Sequence, residues 1–132
     1  MTNTEIKRIK PDETTDKIIK IFYRVYGKLG YGFLEKVYEN AMMIELKKEG
    51  IPAVAGWPIR VLYEKEIVGE YFADLLVDNK VIVEIKVARN LAPEDEAQLL
   101  NYLKATDAEV GLLLNFGPKP EIKRKLFENY RK

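Results

Sequence analysis

Apolar residues recur at helical spacing from Thr14 to Leu29, at Ile18, Ile19, Phe22, Val25, Tyr26 and Leu29, and Gly30 follows as a stop, which predicts a first helix. A second helical pattern runs from Phe33 to Glu49 through Leu34, Val37, Tyr38, Ala41, Met42, Ile44 and Leu46 and ends at Gly50. Ile51 to Gly56, with Pro52, reads as a loop. The period then shortens. Ile59 to Tyr63 and Ile67 to Val77 are rich in β-branched and aromatic residues and flank Glu64, Lys65 and Glu66, the pattern of a hairpin. Asp78 and Asn79 supply a turn into a third strand, Val81 to Val87. Pro93 to Glu96 opens a helix that continues through Ala97, Leu99, Leu100 and Leu103 to Thr106. Val110 to Phe116 is a short apolar run that reads as a buried fourth strand, and Lys119 to Tyr130 as a closing basic helix. The expected order is ααβββαβα, one mixed sheet with helices packed on it.

One strand does not fit its surroundings. Val81, Ile82, Val83, Ile85 and Val87 are apolar on both faces, yet Glu84 and Lys86 interrupt them and share one face. The preceding strand is interrupted in the same way by Asp74. With the turn centred on Asn79, Asp74 and Glu84 are equidistant from it and meet across the ladder. Two half-buried carboxylates repel and are costly to desolvate, so such a pair points to a cation or a shared proton. The competing explanation is an ion pair in which Lys86 neutralises one carboxylate and fixes the strand register; it leaves the second carboxylate unexplained. Gln98 and Tyr102, four apart on the following helix, are neighbours on one face and serve equally well as a half-wet surface or as site residues. Glu35, between Leu34 and Val37, would by itself be an ordinary solvated helical acid.

Composition narrows the chemistry. The 132 residues suit a single domain over 1–132, with residues 1–11 expected to form a flexible N-terminal arm. There is no His and no Cys, which removes His- and Cys-based nucleophiles, zinc sites built on them, disulfides and haem ligation. Oxygen ligands alone favour Mg2+, with Mn2+ as substitute, over Zn2+. No stretch approaches the roughly 20 apolar residues of a membrane span and the N-terminus has no apolar signal region, so a cytoplasmic protein without membrane association is expected. The net charge of +1 hides an acidic middle, −5 over Glu64 to Glu96, and a basic end, +4 over Lys119 to Lys132. That distribution suits a cation site rimmed by groups that hold a polyanion, although solvated faces that merely differ would look the same.

Asp74 followed by Glu84-Ile85-Lys86 resembles the PD-(D/E)xK nuclease signature, with Ala73 where the superfamily name implies Pro. Gln98-Leu99-Leu100-Asn101-Tyr102 resembles the Gln-x-x-x-Tyr helix motif of one branch of that superfamily. Gly32-Phe33-Leu34-Glu35-Lys36-Val37-Tyr38 is similar to the motif that names the GxxExxY family within it. The resemblance covers about Thr14 to Tyr130 and implies an α/β (α+β) restriction-endonuclease-like core around a four-stranded mixed sheet. It implies a Mg2+-dependent nuclease acting on nucleic acid, DNA in preference to RNA; a homodimer is a further expectation. Asp74 and Glu84 would be metal ligands and Glu35 would extend the acidic set. Lys86 would orient or activate the attacking water and neutralise phosphate, while Gln98 and Tyr102 would position substrate. The alternative is a non-catalytic nucleic-acid-binding or protein-interaction module that keeps the fold.

Overall fold

The computed structural model describes residues 3–132, with side chains from Glu13 onward. The expected arm over residues 1–11 therefore lies outside the described side chains. Helix α1 (Asn3–Leu29) and helix α2 (Glu35–Lys48) precede strands β1 (Ala53–Tyr63), β2 (Glu66–Val77) and β3 (Val81–Lys86). Helix α3 (Pro93–Lys104), strands β4 (Val110–Phe116) and β5 (Pro120–Leu126) and a short 3-10 turn, Asn129–Arg131, complete the chain. The sheet has five strands in the order β1-β2-β3-β4-β5. Only β3 and β4 are parallel, and α3 makes the crossover between them.

The alternation of side chains sorts the core into two layers. On one face Leu75, Val77, Val81, Val83, Ile85, Leu112 and Leu114 pack under Ile18, Phe22, Tyr38, Met42 and Leu46 of α1 and α2. On the other, Ile82 and Leu113 pack under Leu99, Tyr102 and Leu103 of α3. β3 and β4 are thus covered on both sides, which is why their sequences are nearly continuous apolar runs.

Two expectations are corrected. The segment read as a closing basic helix is mainly β5, an edge strand in register with all of β4 from Val110↔Leu126 to Phe116↔Pro120. Without it β4 would expose a row of unpaired backbone groups, and the residues alternate as a strand requires: half-buried Ile122 packs toward α1 and α2, whereas Lys125 reaches Glu96 of α3 at 2.7 Å. The sheet accordingly has five strands rather than four. Likewise β1 begins at Ala53, inside the segment read as a loop, because Ala53 to Ala55 pair with Val77 to Leu75.

The connection into the crossover is held tightly. Asn115, fully buried, accepts from the Ala88 N–H at 2.9 Å and donates to the Ala88 carbonyl at 2.8 Å and to Glu121 at 2.8 Å. Glu121 also accepts from the Leu91 N–H at 3.1 Å. A Cβ at Gly117 would run into the Ala88 carbonyl oxygen, so that close approach needs glycine.

Candidate active site

Strands β2 and β3 pair normally only from Val77↔Val81 to Leu75↔Val83. Beyond that point the strands part, and two carboxylates take over the backbone donors. The Asp74 N–H donates to Glu84 Oε2 at 2.8 Å, and the Ile85 N–H donates to Asp74 Oδ2 at 2.7 Å. The equidistance of Asp74 and Glu84 from Asn79 thus brings them together, through side-chain to backbone bonds in place of a ladder. β2 also changes face here. Residues two apart should share a face, yet Leu75 belongs to the α1–α2 layer and Ala73 to the α3 layer. The neighbouring stretch of β1 holds Gly56 at φ +63°, between the pairs Ala55↔Leu75 and Trp57↔Ala73. The bend that this permits lets β2 leave β3 while still pairing with β1.

The site is electrostatically strained. Glu84, only 7% exposed, has its carboxyl pushed up to about 8, first by burial and then by the charge of Asp74; the Asp74 N–H and Lys86 counteract this only in part. Asp74 is also raised, chiefly by burial, against the opposing hydrogen bond from Ile85 and the charge of Lys86. Lys86 makes its ion pair with neither acid: its Nζ lies 3.8 Å from Asp95 Oδ1 at the start of α3. The ion-pair explanation from the sequence, Lys86 neutralising one of the two carboxylates, is therefore not the arrangement found.

Helix α2 brings a carboxyl that the sequence reading missed. Glu39, half-buried, lies near enough to Asp74 for each carboxyl to influence the other, and its own carboxyl is raised first by burial and then by the charge of Asp74; Lys36 Nζ sits 3.4 Å from Glu39 Oε1. Glu35 is exposed at the first position of α2, one turn earlier, where it lines a shallow pocket with Tyr31 and Val87 and adds to the negative field at Glu39. The available signal was the i, i+4 spacing of Glu35 and Glu39, which puts both on one helix face. Tyr38 shapes the loop before the helix: its hydroxyl donates to the Gly30 carbonyl at 2.7 Å and accepts from the Phe33 N–H at 3.2 Å.

Asp95 is the other missed residue. Ala92 has no side-chain acceptor, so α3 starts with only the returning half of a capping box, in which Asp95 Oδ2 accepts from the Ala92 N–H at 3.0 Å. Its other oxygen faces Lys86. Further along α3, the Gln98 amide donates to the Tyr102 hydroxyl at 2.6 Å. Burial and the charge of Glu84 raise the Tyr102 hydroxyl, so Tyr102 lies within reach of the acids' charge, and Gln98 is tied to it.

The donor set fits a hard cation. Among the described residues no group of three acids is arranged to hold a metal, but Mg2+ is commonly held by one or two carboxylates, with water and substrate phosphate completing its shell. Two partly dry carboxylates whose ionised forms are penalised by burial and mutual repulsion are the environment that a divalent cation relieves.

The fold recurs in a solved structure. The crystal structure of SSO0001 superposes with a TM-score of 0.56 at 19% identity, over 71% of this chain and 50% of that one, so the chain spans half the length of that protein. The 1.6 Å structure of Archaeoglobus fulgidus Hjc, a Holliday junction resolvase from an archaeal hyperthermophile, gives a TM-score of 0.42 at 18% identity, over 67% of this chain and 72% of that one. No curated protein matches the sequence. The PD-(D/E)XK nuclease superfamily matches residues 12–125, from α1 into β5. With that match spanning both acids, the lysine and the helices that flank them, the chain belongs to the PD-(D/E)XK nuclease superfamily.

Proposed function

We propose that this protein is a Mg2+-dependent nuclease of the GxxExxY type that hydrolyses phosphodiester bonds of DNA in preference to RNA, with Mn2+ as a working substitute. The observation that carries the proposal is the crossed pair of hydrogen bonds where β2 and β3 part. It holds Asp74 and Glu84 side by side with one oxygen of each committed to the backbone. Asp74 and Glu84 would hold the ion, with Glu35 and Glu39 extending the acidic surface from α2. Bound there, Mg2+ would supply Lewis acidity toward the phosphate and toward the attacking water. Lys86, steered by Asp95, orients that water and offsets phosphate charge, while Gln98 and Tyr102 position the strand. A cytoplasmic setting and a homodimer belong to the same proposal.

Cleavage of labelled DNA and RNA, each single-stranded and duplex, with Mg2+, Mn2+ or EDTA, tests it. DNA cleavage by the wild type, abolished by EDTA and by Glu84→Gln, is the expected result. Equal cutting by the wild type and Glu84→Gln would assign the activity to a contaminant. Binding without cleavage under every condition would instead identify a non-catalytic module on the nuclease fold.

A further inference from the structure

Beyond its pairing with β3, β2 continues with β1 as a two-stranded projection that closes in a turn at Glu64 and Lys65, both at positive φ. Between this projection and α3 lies a cleft of about 880 Å³, a volume typical of sites for small organic groups. Tyr102 and Tyr71 form part of its wall, and Tyr71 stands three residues before Asp74 on β2, so the cleft lies about 10 Å along that strand from the carboxylates, near enough for their charges to reach Tyr102. The Tyr71 ring lies 5.9 Å from that of Tyr102, tilted by 42°, and Tyr71 is 47% exposed, so it has aromatic surface to offer a ligand. Gln98 and exposed Asn101 add amides to the lining, Lys104 and Arg60 add cations, the latter also paired with Glu70 at 3.2 Å, and Glu94 adds one acid at the start of α3. Aromatic surface, amides and guanidinium or ammonium groups are the three chemistries that a nucleotide presents counterparts to: a π-face, a polar base edge and a phosphate.

We infer that this cleft is a nucleobase subsite, in which Tyr71 stacks one unpaired base of the strand whose phosphate lies at Asp74 and Glu84. Gln98 and Asn101 offer hydrogen bonds to the edge of that base, and Arg60 and Lys104 attract the flanking phosphates. This inference rests on the nuclease reading and deepens it. A base within a duplex is stacked on both faces and paired along its edge, so it has nothing free to place against Tyr71. The substrate class is therefore single-stranded DNA, or duplex DNA with an unpaired nucleotide beside the scissile bond.

The test uses the full chain carrying Glu84→Gln, so that binding is read without cutting, and a DNA oligonucleotide with one 2-aminopurine, as single strand and as blunt duplex. Fluorescence anisotropy gives affinity, and quenching of 2-aminopurine reports stacking on an aromatic ring. The expected result is single-strand binding at least tenfold tighter than duplex binding. Tyr71→Ala should lose about tenfold in single-strand affinity together with the quenching, whereas Tyr71→Phe keeps both. Equal affinity for the two forms, no detectable binding, or unchanged quenching in Tyr71→Ala would overturn the inference. Cleavage assays of the same Tyr71 variants with Glu84 restored separate the two readings. If Tyr71→Ala cuts single strands with wild-type kcat/KM, the subsite fails while the nuclease stands; if the wild type never cuts yet the stacking pattern holds, the subsite stands without the nuclease.

Discussion

Replacing Glu84 by Gln should stabilise the metal-free protein at alkaline pH. Gln keeps an oxygen that can accept from the Asp74 N–H at the 2.8 Å now made by Glu84, but it carries no charge to desolvate. In the folded wild type the carboxyl holds its proton up to about 8, whereas its ordinary value is 4.5. The native state thus binds the proton more tightly than the unfolded chain. The stability that this carboxyl contributes is full below pH 4.5, falls as pH rises through the window up to about 8, and is level above it. At about 1.4 kcal/mol per pH unit, the loss over that window is on the order of 5 kcal/mol. With no His and no Cys, no other side chain with an unperturbed value titrates between pH 5 and 8, so the window reports the site. Urea unfolding in EDTA should give wild type and Glu84→Gln similar stabilities near pH 4.5 and a variant about 5 kcal/mol more stable at pH 8.5, a melting difference of roughly 10 °C or more. A flat wild-type profile, or a variant less stable than the wild type at pH 8.5, would refute the reasoning.

Mn2+ should bind the wild type with release of close to one proton at pH 7, because the ion requires ionised Glu84; calorimetry in buffers of different ionisation enthalpy measures it, and no proton release would contradict the raised carboxyl. Lys86→Ala should lower kcat at least a hundredfold, and Asp95→Asn, which frees the lysine while keeping an acceptor for the Ala92 N–H, should lower it less; single-turnover cleavage distinguishes the two. Gly117→Ala should cost about 1–3 kcal/mol through contact with the Ala88 carbonyl, read from urea melts. Tyr38→Phe leaves the Gly30 carbonyl and Phe33 N–H without their partner and should cost about 1–2 kcal/mol, with faster hydrogen exchange at Phe33.

The pairing of β2 with β3 was legible because it depends on counting alone. Alternation and the Asn79 turn set the register, and the charges interrupting two apolar runs marked where it carries function. β5 was not legible. Pro120, followed by Glu121 and a basic run, suits the first turn of a helix as well as the start of an edge strand, and only the bare edge of β4 decides between them. The start of β1 was hidden in the same way, since between Pro52 and Gly56 only Val54 favours a strand, and Ala53 to Ala55 are held there by Leu75 to Val77. Glu39 escaped notice because a charged residue in a helix has no period to break. Its role comes from β2 bending beneath it, which is tertiary information.

The crossed hydrogen bonds between Asp74 and Glu84 make both acids architectural. Removing either side chain to alanine strands a backbone donor in the gap between two central strands, so an inactive alanine variant reports fold and chemistry together. Amides escape this confusion, since Asn or Gln can close the gap without holding an ion. The same economy constrains descent: a lineage that abandoned catalysis on this scaffold could shed its charges freely, but not its acceptors. Asn at 74 with Gln at 84 would be the trace of a nuclease that had become a binding protein.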